Sequence, residues 1–91
     1  MKPLEIKGAR TRLGYTQQFV ADSLGMKFHS YQKKESGKIK FTEDEKFEVA
    51  RVLKLSFDQM DSYLFDGQLK FFLPENYQTV TNSNKSENKF E

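Results

Sequence analysis

Residues 16–37 read TQQFVADSLGMKFHSYQKKESG. Thr16 suits a helix N-cap, because its hydroxyl can accept a hydrogen bond from the N–H groups that open a helix. Phe19, Val20 and Leu24 follow at helical spacing, which predicts a helix over about residues 17–24. Gly25 supplies a turn. A second helix is predicted over about 28–35, with Gly37 ending it. On a helical wheel Phe28, His29, Gln32, Lys33 and Ser36 share one side, and Ser30, Tyr31 and Lys34 share the other. Tyr31 is therefore expected to anchor in the core. Lys34 faces inward with it, so its stem is expected to pack while its ammonium reaches water or phosphate.

A short helix, a glycine turn and a second helix with a polar outer side is the grammar of a helix-turn-helix. In that motif the second helix is offered to a DNA groove. The flanking sequence supplies the rest of a small helical domain. Pro3 suits a first helical turn, and Ile6, Ala9, Arg10 and Leu13 fall on one face of a helix over about 4–13. An arginine on that apolar stripe requires an anionic partner if it is buried, and Glu35 is the candidate. Gly14 ends this helix, and Tyr15 is expected in the core. Downstream, Thr42 and Glu45 form a T-x-x-E capping box ahead of a helix over about 43–53 that buries Phe47, Val49, Ala50 and Leu53. Ser56 with Gln59 opens a further helix over about 57–65, with Phe57, Met60 and Leu64 inward and Gly67 as its C-cap. Residues 68–73, QLKFFL, read as a short strand or an apolar arm. Its paired phenylalanines must either pack on the core or meet a second subunit.

Composition bounds the function. The chain has 91 residues, no cysteine and one histidine. That excludes a Cys/His dyad and a zinc site of the usual ligand count. The five glycines are scattered, so there is no phosphate-binding glycine loop. Glu43, Asp44, Glu45 and Glu48 look like the solvated face of a helix rather than paired catalytic carboxylates, and no cofactor is implied. No apolar run approaches the roughly 18 residues of a membrane span, and the N-terminus lacks a secretory signal. A cytoplasmic protein is expected. Net charge is only +2, but residues 1–40 carry nine Lys/Arg against three acids, and residues 41–91 carry six against ten. This split of +6 and −4 predicts one basic face, the footprint of a phosphate-binding surface. Lys38 and Lys40 lie in the basic loop beyond Gly37. Residues 78–91 are polar, with little to bury, and are expected to be a disordered tail.

Taken in order, Ile6, Arg10, Leu13-Gly14, Thr16-Gln17, Val20-Ala21, Leu24-Gly25, Glu35-x-Gly37 and Leu53-x-Leu55-Ser56 resemble the lambda-repressor-like (XRE, or Cro/repressor) helix-turn-helix family over about residues 4–65. The YQKKESGK segment with Phe41 further resembles its small phage-type regulators. Lys34 stands where that family usually keeps an apolar residue. The resemblance implies a compact all-α, five-helix domain over residues 1–66; the apolar extension at 67–77, a possible dimer arm, and the tail are read from the residues themselves. It implies binding to double-stranded operator DNA as a homodimer, with no small-molecule ligand evident. It places Phe28, His29, Gln32 and Lys33 at base edges and Gln17, Lys38 and Lys40 at phosphates, and it pairs Arg10 with Glu35.

The side-chain chemistry is compatible with those roles. Lys33 can donate to guanine O6/N7 and Gln32 can pair with adenine N6/N7, while Phe28 can contact a thymine methyl or simply cover the helix entry. His29 can donate to a base or a phosphate. Ser36 reads equally as a helix-end residue and as a phosphate ligand. The expected function is a transcriptional regulator, a repressor of prophage or mobile-element type. The alternative is a protein-interaction module, antitoxin-like or an anti-repressor partner, that works through residues 68–77.

Overall fold

The computed structural model describes residues 1–73. The fold is all-α. Five helices follow in order: α1 (Pro3–Arg12), α2 (Gln17–Ser23), α3 (Phe28–Glu35), α4 (Glu43–Val52) and α5 (Phe57–Leu64). Their ends lie within one residue of those read from the sequence, because the punctuation is local. The Thr16 hydroxyl accepts from Phe19 N–H. Both capping boxes form with both of their hydrogen bonds, Thr42 with Glu45 and Ser56 with Gln59. Gly25 turns α2 into α3 with a φ of 66°, and Met26 N–H returns to the Ala21 carbonyl at 2.9 Å.

The five helices meet on one apolar core. Ile6 and Ala9 come from α1, Val20 and Ala21 from α2, Tyr31 from α3, Val49, Ala50 and Val52 from α4, and Leu64 from α5, with Phe41, Leu53, Phe65 and Leu69 from the connections. Tyr31 is fully buried, as its wheel position predicts. Five apolar residues expected inside are less covered, among them Phe47 and Met60, which are half-buried. Leu13 is 37% exposed because it follows the last residue of α1 and borders a shallow cleft against Leu53 and Leu55. Phe57 is 39% exposed, being the first residue of α5. Tyr15 is half-buried and packs its ring on Phe19 with centroids 4.6 Å apart.

The largest departure from the sequence reading lies beyond α5. Residues 69–72 form neither a strand nor a free arm but a single 3-10 turn, Leu69–Phe72. Asp66 and Gly67 both take positive φ, 54° and 79°, which folds the chain back on α5. The Asp61 carboxylate then accepts Leu69 N–H at 2.9 Å, and the Leu69 side chain is fully buried. The core thus continues past residue 66. Of the paired phenylalanines, Phe72 lies against Phe65 with centroids 5.4 Å apart, while Phe71 is 72% exposed. The expected tail, 78–91, and the end of the apolar extension, 74–77, lie outside the described residues.

Candidate nucleic-acid interface

The site is built from a buried carboxylate outward. Glu35, the last residue of α3, is 3% exposed, and Arg10 of α1 is 7% exposed. Arg10 Nε donates to Glu35 Oε2 at 2.7 Å and a second guanidinium nitrogen donates to Oε1 at 3.2 Å. The Tyr31 hydroxyl donates to Oε2 at 2.7 Å and the Gln17 amide to Oε1 at 2.8 Å. Arg10 also donates to the Tyr15 carbonyl at 2.8 Å. Every donor aimed at the carboxylate comes from α1, α2 or α3, so this one group ties the three helices together. The pairing of Arg10 with Glu35 expected from sequence is present, and it is half of a larger network.

Burial by itself would raise the Glu35 pKa. Hydrogen bonds from Arg10, Tyr31 and Gln17, with the Arg10 charge, more than offset it and hold the carboxyl below its ordinary value. The Tyr31 hydroxyl is pushed the other way, by burial first and then by its bond to Glu35 and that group's charge, against the opposing Arg10 charge. Both groups therefore keep one protonation state at neutral pH, with Glu35 ionised and Tyr31 neutral.

With its inner face held this way, α3 presents the opposite face to solvent. His29, Gln32 and Lys33 are exposed, and Phe28 is half-buried with its ring edge-on to His29 at 5.3 Å. Lys27 occupies the N-cap position of α3 without a capping side-chain bond. Lys38 and Lys40 are exposed in the loop beyond Gly37 and make no ion pair among the described residues. Ser36 is exposed and its hydroxyl donates to the Lys33 carbonyl at 2.9 Å, the geometry of a helix-end residue. Gln17 has a contact absent from the sequence reading, since its amide is engaged with Glu35. A concavity of about 290 Å³ brings Gln17, Gln32 and Ser36 together with Pro3, Leu4, Lys7 and Glu35. Lys7 is the residue that sequence reasoning missed there. Its charge counted toward the basic half, but only the packing of α1 beside α3 brings it to this face.

One expectation is corrected. The Lys34 ammonium does not run to solvent or wait for phosphate. It donates to both oxygens of Glu45 on α4, at 2.8 and 2.9 Å. A half-buried ammonium is better satisfied by an adjacent carboxylate than by partial hydration, and the turn into α4 puts one there.

No three His, Cys, Asp or Glu residues are grouped to hold a metal ion among the described residues, and no helix there is long and apolar enough to cross a membrane. Compared with family models, curated proteins and solved structures, the chain matches none.

Proposed function

We propose that the chain is a cytoplasmic, sequence-specific DNA-binding regulator, a repressor of the lambda-repressor-like type. In this reading α2 and α3 act as the helix-turn-helix, and two subunits bind a two-fold operator. The observation that carries the reading is the mounting of α3. Its inner face is held by a buried carboxylate with four donors, and its outer face offers His29, Gln32 and Lys33 with no side-chain hydrogen bond or ion pair among the described residues. A helix fixed on one side and polar on the other, flanked by Lys7, Lys38 and Lys40, suits insertion into a major groove with phosphates on either side. The acids Glu43, Asp44 and Glu48 are on α4 and exposed, and in this reading they face away from the duplex.

Under this proposal Lys33 and Gln32 read bases, with Phe28 and His29 beside them. Lys38, Lys40 and Lys7 hold phosphates, with Ser36 and Gln17 at the edge of the same surface. Lys33→Ala should cost ~1–3 kcal/mol at one base pair and relax preference there, whereas Lys40→Ala should weaken all sequences alike and reduce the salt slope by about 1. Selection of bound genomic fragments, repeated with each variant, separates the two. If Lys33→Ala kept the wild-type preference, its base-reading role would be wrong.

A second reading, a protein-interaction module, is favoured by the exposure of Phe71 at 72% and Phe72 at 48%, a ledge that another protein would cover. Deleting residues 68 onward cannot test it, because Leu69 belongs to the core. The paired substitution of Phe71 and Phe72 by serine can. Loss of a protein partner with DNA affinity retained would favour this reading, and unchanged partner binding would rule it out.

A further inference from the structure

The loop between α3 and α4 carries Lys38 and Lys40, and both of its ends are fastened. At its start, Gly37 N–H returns to the Lys34 carbonyl at 3.1 Å, and Lys38 and Ile39 N–H return to the Lys33 carbonyl at 2.9 and 3.2 Å. At its end, the Phe41 ring is 5% exposed and lies 6.1 Å from the Tyr31 ring. Across the loop, Lys34 in the last turn of α3 meets Glu45 in the first turn of α4, and both side chains are largely covered, at 16% and 28% exposure. Glu45 Oε1 also accepts Thr42 N–H at 2.9 Å, so one carboxylate closes the α4 cap and the bridge to α3. Each charge further suits the end of its own helix, a cation at a C-terminus and an anion at an N-terminus.

We propose that the Lys34–Glu45 pair is a clamp that positions Lys38 and Lys40 against the nucleic-acid backbone, so that Glu45, an acid, strengthens binding to a polyanion. The inference rests on the DNA-binding reading above and adds a positioning role to two residues that touch no DNA. The capping hydrogen bonds of α4 need only an oxygen at position 45. The charge pair is therefore surplus to the cap, and what it adds is a fixed distance between the two helix ends that bracket the lysines. A loop already held in its binding conformation loses less conformational freedom on binding.

Glu45→Gln tests the proposal because its sign is opposed to simple electrostatics. Glutamine still caps α4, but the chain becomes more positive and Lys34 is released. On charge alone the variant should bind DNA more tightly. The clamp predicts weaker binding, about three- to tenfold for a mixed-sequence duplex, with a salt slope shallower by up to about 2 as two lysines lose their phosphates. Lys34→Met should do the same and Lys34→Arg should restore wild-type behaviour. The Lys34→Met/Glu45→Gln double variant should be no weaker than either single one, because both remove one shared interaction. Thermal unfolding confirms that each variant is folded at the assay temperature. Tighter or unchanged binding by Glu45→Gln, with a normal wild-type salt slope, overturns the clamp alone. A wild-type chain without salt-dependent duplex binding overturns the DNA reading and the clamp with it.

Discussion

Glu35→Ala should remove about 3–5 kcal/mol of folding stability, the usual cost of breaking a buried ion pair from one side. The alanine would leave two Arg10 nitrogens, the Tyr31 hydroxyl and the Gln17 amide without the acceptor they now share, and it would leave the guanidinium charge buried. Small domains are stable by only about 5–15 kcal/mol and this one belongs at the low end, so the variant should be marginally folded at best. At about 4–8 °C per kcal/mol for a domain of this size, its melting temperature should fall by roughly 12–40 °C, measured by circular dichroism. A loss below about 1 kcal/mol would show that the network is not what holds α1, α2 and α3 together. Replacing both charges, Arg10→Met with Glu35→Leu, should recover part of the loss, because no buried charge is then left unpaired, although the Tyr31 hydroxyl still lacks its acceptor.

The same carboxylate sets an acid limit. Because the fold holds its pKa below the ordinary value of 4.5, the folded state binds the Glu35 proton less readily than the unfolded chain does. Its contribution is fully present above about pH 4.5 and is lost as pH falls through the lower folded value. Stability measured from pH 6 downward should therefore decline more steeply in the wild type than in Glu35→Gln, whose side chain carries no titrating proton.

The elements of the fold that short-range chemistry dictates were legible in the chain. Thr16, Thr42 with Glu45, and Ser56 with Gln59 are caps whose partners lie three residues away, so the helix starts follow from sequence. Arg10 and Glu35 were legible for a different reason. A charged residue on an apolar stripe demands an opposite charge, and few acids lie in the N-terminal half. The wheel position of Lys34 tells only that it faces inward, and its partner depends on how the loop of residues 36–42 returns the chain. Leu13 and Phe57 are more exposed than their faces suggest, because periodicity assigns a face but not whether another helix reaches that far along it. Gln17 and Lys7 at the candidate site share that limit, since each acquires its surroundings only when α1, α2 and α3 are packed.

Leu69 illustrates the same limit at larger cost, and its replacement carries the second large expected effect. Leu69→Ala should destabilise the domain by about 2–5 kcal/mol, the range for emptying a fully buried leucine site. Phe71→Ala, two residues on and 72% exposed, should stay within about 0.5 kcal/mol. Urea unfolding of the two variants side by side distinguishes a core residue from a surface one, and equal losses would refute the docking of the 3-10 turn. The turn is held by the bond from Leu69 N–H to the Asp61 carboxylate and by the left-handed residues Asp66 and Gly67. Asp61→Ala should therefore reproduce part of the Leu69→Ala loss without creating a cavity. Neither residue lies on α3 or in its loop. Under the DNA-binding proposal, affinity corrected for the folded fraction should be unchanged in both, whereas a corrected affinity that fell with them would place the turn in the binding surface or in a dimer contact that supports it.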